Sequence, residues 1–177
     1  MSTKYKVNGL VPMEKIPELK DVTDVPLDDP MDIYRVCREM EVCCDADEGI
    51  GLSAVQVGIP WRLFIIKGDG TSLVPKGQYD YFVNCEYEPV TEEEQIVSVE
   101  GCLSVRSQEG QLRFFRVERH KSIRLNGYRL EYNNVLSFEK FDTELGSAKQ
   151  GIVVQHELDH QRGILVSDCG KEIFIWK

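Results

Sequence analysis

The chain has 177 residues, 42% of them apolar and 29% charged, which is enough to bury one core and is ordinary for a globular protein. A net charge of −9 and a pI near 4.9 argue against general nucleic-acid binding, which needs clustered Lys and Arg. No apolar run reaches membrane-spanning length, and the N-terminal stretch MSTKYKVNGLVPMEK resembles neither a signal peptide nor a transit peptide. The expectation is therefore a single cytoplasmic domain over residues 1–177, whose six cysteines stay reduced.

Residues up to Leu27 show no sustained period and read as an extended arm laid over the domain. Asp28 or Asp29 before Pro30 forms a helix start, and Ile33, Cys37, Met40 and Cys44 recur at helical spacing, with the helix running to about Asp45. Cys37, Cys43 and Cys44 then read as packing residues on that helix. Gly49 to Gly58 (GIGLSAVQVG) combines glycines, small residues and one amide, so another backbone can approach closely; no Gly-Lys-Ser/Thr follows, so it is not a phosphate loop.

Trp61–Lys67 predicts a strand, and a loop through Gly70, Pro75 and Gly77 leads to a second strand near Tyr81–Cys85. Glu92, Glu93 and Glu94 read as a solvated acidic patch. A strand around Ile96–Val99 runs into Glu100-Gly101-Cys102-Leu103-Ser104. Leu112 to Arg124 alternates apolar and basic residues, which suits either a strand with one solvated face or an RNA-facing strip; His120 within it reads as a surface histidine. Asn126-Gly127, flanked by alternating segments, signals a hairpin turn, and Val135–Phe141 a further strand. Ser147 and Gln150 resemble a capping box for a helix ending near Gly163, and Ile164-Leu165-Val166 begins a short tail.

That last helix carries Gln155-His156-Glu157-Leu158-Asp159-His160. Histidines four apart share one helix face and can reach one metal ion, and the intervening glutamate is placed to carry protons beside it. Ile152, one turn before His156, faces the same centre. A catalytic site of this kind needs a third protein ligand and an open position. Cys102 is the candidate, though by spacing alone a cysteine at a strand end reads equally well as packing. The element order predicts an α+β domain in which antiparallel sheets pack around the HExxH helix.

Three stretches, GIGLSAVQ (Gly49–Gln56), EGCLS (Glu100–Ser104) and QHELDH (Gln155–His160), occur in the order and spacing of the peptide deformylases, and Leu19-Lys20 to Pro26 adds to the likeness. The resemblance runs from about Pro17 to Asp168. It implies Cys102, His156 and His160 as metal ligands, with water in the fourth position. It also implies Glu157 as proton carrier, and Gln56 with the backbone N–H of Leu103 as oxyanion donors. Ile50, Gly51, Glu100, Gly101, Ile152 and Val153 would line the substrate, with Gly51 pairing its backbone.

The family metal is Fe(II), replaceable by Zn(II) or Ni(II), and the implied substrate is an N-formylmethionyl nascent peptide. Ser53, Val55, Arg106, Lys149 and Gln150 depart from the family's usual residues, Arg106 standing where the family often has Pro after EGCLS and one apolar residue. The chain ends 17 residues after His160, where longer bacterial members continue into a ribosome-contacting helix, so ribosome proximity is implied without that helix. A zinc endopeptidase would share HExxH but takes a third His or Glu downstream, against which Cys102 speaks. A non-enzymatic relative would be expected to have lost Glu157 or Gln56, and both are present.

Overall fold

A computed structural model describes residues 6–12, 15–16, 21–68, 76–146 and 149–174. Ser147, Leu19, Lys20, Gly70 and Pro75 lie outside these, and with them the expected capping box, part of the loop after the first strand and part of the stretch before the first helix.

Helix α1 runs Pro30–Ala46. The Asp29 side chain accepts a hydrogen bond from the Asp32 amide at 3.0 Å, and Pro30 occupies a position whose missing N–H costs nothing. Ile33, Cys37, Met40 and Cys44 form its buried face, as their spacing predicts, and Cys43 is half-buried. Strand β1 (Gly51–Ser53) follows, then a 3-10 turn (Ala54–Val57), β2 (Leu63–Lys67), β3 (Tyr79–Pro89), β4 (Gln95–Arg106), β5 (Leu112–His120), β6 (Ile123–Tyr132) and β7 (Leu136–Leu145). Helix α2 (Lys149–Gln161), the short α3 (Val166–Cys169) and β8 (Lys171–Ile173) close the described chain.

Two antiparallel sheets result, one in the order β1-β2-β3-β6-β7 and one in the order β4-β5-β8. Strand β2 shows how α2 comes to lie inside. Its side chains alternate, and both faces are apolar. Leu63 and Ile65 join Val36, Met40 and Val83 in a core beneath α1. Phe64 and Ile66 turn to the other face, where Phe82, Leu125, Val154 and Leu158 make a second core against α2. A third core of Val55, Cys102, Val105, Phe115 and Val117 joins the 3-10 turn to the smaller sheet. Stacked Phe64 and Phe82 rings, 4.9 Å apart, anchor the second core. Truncating such a ring costs about 3–5 kcal/mol.

Three expectations change. Asn126-Gly127 makes no turn: both lie inside β6, which pairs with β3 and β7 across them. Gly127 is needed because a Cβ there would stand 2.5 Å from Cys85 Sγ and 2.8 Å from its Cα, where β3 is irregular between Val83 and Glu86. The β6–β7 reversal falls at Asn133-Asn134, with Asn134 in the left-handed region at φ 68°. Second, the segment after Gly163 is no plain tail, because β8 adds to β5 from Phe114 to Arg116. Third, the basic alternation of β5 is not uniformly solvated, because Arg119 on its inner face is buried.

The arm reading holds where the arm is described. Thr23 bridges Trp61, the Val11 amide donates to the Gln56 carbonyl, and Asn84 bonds Val25 through both amide atoms. Gly163 ends α2 at φ 73°, donating to the His160 carbonyl.

A candidate metal centre between two sheets

Helix α2 is apolar only in part, yet Gln155, His156, Glu157, Asp159 and His160 are all buried. Buried polar groups persist only when partnered or put to use. Here nearly every one has a partner that orients it.

His156 and His160, one turn apart, meet Cys102 from β4, and the ligand-type atoms of the three lie within 4.8 Å of one another. Cys102 Sγ is 3.3 Å from His160 Nε2. The far nitrogen of each ring is engaged: His156 Nδ1 lies 2.8 Å from Glu100 Oε2, and His160 Nδ1 lies 3.2 Å from the Ile164 carbonyl. Those partners assign Nδ1–H to both rings and turn both Nε2 atoms toward Cys102.

Glu100 belongs to a buried network. Arg119 grips both its oxygens at 2.9 and 2.8 Å and reaches Asp159 with its other terminal nitrogen, while Ser98 donates to Glu100. Burial pushes the Glu100 carboxyl up, but Arg119 and His156 outweigh it and hold the group at about 2. Burial also pushes the Cys102 thiol up; the charge and hydrogen bonds of His160 and His156 overcome this and hold it well below its ordinary value. His156 is pulled down by burial and driven well above its ordinary value by Cys102 and Glu100. The residues thus favour a thiolate compensated by positive charge. A divalent cation supplies such charge, and one thiolate with two neutral imidazole nitrogens is a donor set suited to zinc, iron or nickel.

Strand β4 reaches this centre through an interruption. Its pairing with β5 runs in register from Gln95 to Gly101, then resumes only at Arg106 opposite Leu112. Such a bulge re-aims side chains and releases backbone groups from the ladder. Cys102, Leu103 and Ser104 lie within it.

Gln56, in the 3-10 turn, faces them. Its Oε1 accepts the Ser53 amide at 2.8 Å, which fixes the amide orientation and sends Nε2 to Ser104 Oγ at 3.0 Å and Cys102 Sγ at 3.7 Å. Glu157 is buried, and its Oε2 has no hydrogen-bond partner among the described residues. Burial lifts this carboxyl to about 7, although His156 and His160 pull it down.

A cavity of about 450 Å³ opens onto the centre. Ile50, Gly51, Gly101, Leu103, Ile152 and Val153 border it, together with His156 and Glu157. Glu100 borders it too, but its carboxylate is taken up by Arg119, Ser98 and His156. Gly51 admits no side chain: a Cβ would stand 2.5 Å from Glu157 Oε1 and 2.8 Å from Val153 Cγ1. Both β1 and β4 are edge strands, and the cavity runs between them.

The structure therefore gathers every residue that the sequence motifs nominate. It adds Arg119, Asp159 and Ser104. Arg119 shares strand parity with inward-facing Phe115 and Val117, so an arginine on that face was a legible sign of a buried ion pair. His120, read as a surface histidine, is half-buried, and its backbone bonds the Gln155 side chain in both directions at 3.0 Å.

The Polypeptide deformylase family profile matches residues 16–173 of the chain. The peptide deformylase of Helicobacter acinonychis is 32% identical over 126 residues, 70% of this chain and 63% of that one, so the chain spans under two thirds of that relative's length. That of Fusobacterium nucleatum is 31% identical over 162 residues, 92% of this chain and 78% of that one. Among solved structures, a probable peptide deformylase from Synechococcus phage S-SSM7 superposes with a TM-score of 0.72 at 27% identity, covering 90% of this chain and 97% of that one.

Proposed function

The chain belongs to the polypeptide deformylase family, and from that premise we propose that it is a metal-dependent hydrolase removing the formyl group from N-formylmethionyl peptides and releasing formate. The observation that carries this reading is the convergence of Cys102, His156 and His160 on one point beside Glu157 and the Gln56 amide. We treat residues 1–177 as one catalytic domain acting in the cytoplasm on nascent chains near the ribosome. Among the described residues no helix is long and apolar enough to cross a membrane.

Cys102, His156 and His160 would hold one divalent ion, Fe(II) as the family implies, with Zn(II) or Ni(II) as substitutes. When bound, that ion supplies Lewis acidity that polarises the formyl carbonyl and acidifies a water. Glu157, with its carboxyl at about 7, is matched to accept a proton from the attacking water and to return it to the departing amine near neutral pH. Gln56 Nε2, its orientation fixed by Ser53, and the Leu103 N–H are the donors we assign to the oxyanion. Ile50, Ile152, Val153 and the face of His156 form the apolar surface for the methionine side chain. Gly51 on the free edge of β1 gives an extended peptide a backbone to pair with, beside Glu100 and Gly101 of β4. A formyl-Met peptide offered alongside its unformylated twin tests the reading: formate from the first, and no cleavage of either peptide bond.

A further inference from the structure

Arg106 was marked in the sequence as a departure from the family's usual proline, and the chemistry above gives it no task. In the structure its guanidinium makes three directed contacts. Nε donates to the Leu103 carbonyl at 3.0 Å, Nη1 to the Gly110 carbonyl at 3.1 Å, and Nη2 to Asp47 Oδ1 at 2.5 Å. These ends belong to three different parts of the fold. Leu103 lies in the β4 bulge, Gly110 in the turn between β4 and β5, and Asp47 just past the end of α1.

We propose that Arg106 is a positioning residue for the Leu103 peptide, holding the bulged wall of the cavity at a fixed distance from the Asp47–Gly51 wall. This rests on the oxyanion role given to the Leu103 N–H above. The bulge takes Leu103 out of the β4–β5 register, so ladder pairing does not define its backbone. A proline at 106 would stiffen that backbone by fixing its own φ. Arginine cannot do so, and instead pins the Leu103 carbonyl from its side chain, restricting the torsions around the Leu103 Cα. The planar fork makes the three bonds mutually dependent, which a lysine cannot reproduce.

The Asp47 contact matters because Asp47 leads directly into Glu48, Gly49, Ile50 and Gly51, which form the facing wall. The walls touch: a Cβ on Gly49 would stand 2.8 Å from Leu103 Cδ1. Glu48, which follows Asp47, ends α1 in the left-handed region at φ 55°, with its amide donating to the Asp45 carbonyl and the next amide, of Gly49, to the Cys44 carbonyl. Arg106 and Asp47, each about one-third exposed, tie this chain reversal to the β4 bulge from the outside.

The test compares wild type with Arg106→Gln, Arg106→Lys and Asp47→Asn. It measures hydrogen exchange at the Leu103 amide in the Zn(II)-loaded proteins, and kcat and KM for formate release in the Fe(II)-loaded ones. For Arg106→Gln we expect faster Leu103 exchange, kcat lower by roughly 10- to 100-fold, KM within about twofold, and unchanged metal content. Arg106→Lys should follow it, and Asp47→Asn, which keeps the Leu103 contact, should show a smaller change in the same direction. Unchanged Leu103 exchange in Arg106→Gln overturns the proposal, as does a loss confined to KM. Faster exchange with unaltered kcat overturns the catalytic role of the clamp and of the Leu103 N–H together. A wild type that releases no formate fails the deformylase reading instead, and the exchange measurement still decides whether Arg106 holds Leu103.

Discussion

His156 Nδ1 lies 2.8 Å from Glu100 Oε2, joining a residue of the central helix to one on the edge strand of the smaller sheet. This contact decides which nitrogen of His156 faces the centre, and Arg119 clamps the same carboxylate from behind. The motif glutamate of EGCLS is thus placed to act on the proposed metal site through an imidazole.

Arg119→Met should weaken both stability and metal binding. It leaves Glu100 and Asp159 buried without their cation, and breaking a buried pair on one side costs about 3–5 kcal/mol. Loosening the partner of a metal-bound histidine costs about 10- to 100-fold in metal affinity. Urea unfolding and competition with a chelating dye measure the two. A metal affinity equal to wild type would show that Glu100 orients His156 without Arg119.

Acid should unfold the protein along a path set partly by Glu100. Its carboxyl is held at about 2 in the folded state, against 4.5 for an ordinary glutamate. The folded pKa is the lower one, so the contribution is fully present above about 4.5 and is lost as pH falls from there through about 2. Its size is on the order of 3 kcal/mol. Glu100→Gln should be less stable at neutral pH and should show a flatter loss below pH 4.5, seen in urea midpoints of chelator-treated protein. Parallel acid limbs for the two proteins would remove Glu100 as the source.

Glu157→Gln should retain the metal and the fold while turnover falls by about 10²- to 10⁴-fold, the usual worth of a positioned acid–base group. The amide keeps the volume that lies against Gly51. Metal analysis beside steady-state kinetics reads this directly. Undiminished kcat would take Glu157 out of the proton path.

Cys102→Ser should change the metal site rather than the fold. Cys102 and Val105 share the third core, where a hydroxyl replaces sulfur with little change in shape. Loading with Co(II) gives the readout: a sulfur-to-cobalt charge-transfer band in wild type that is missing from the variant. The same band in both would point to another thiolate ligand and contradict the assignment of Cys102.

Much of this was open to reading in the sequence, for physical reasons that differ by element. Helix α1 follows from the Asp29 cap and the spacing of Ile33, Cys37, Met40 and Cys44, because both signals are local. The motifs nominated the residues of the centre because His156 and His160 lie one turn apart on a single helix. Asn126-Gly127 misled because its turn preference is short-range, and the close approach of Cys85 placed Gly127 inside a strand instead. Arg119 was legible as an arginine on an apolar strand face but not as part of the site, because alternation reports the face of a strand and not which residues cover it. The pairing of β8 with β5 is long-range, and three residues carry too little pattern to announce it.

The most direct test of the central claim is formate release from formyl-Met-Ala-Ser by anaerobic, Fe(II)-loaded protein. The account predicts one formate per peptide consumed, abolished by a chelator and restored by added Fe(II). A folded, metal-loaded protein that leaves the formyl group in place, or one whose formate release survives chelation, would contradict it.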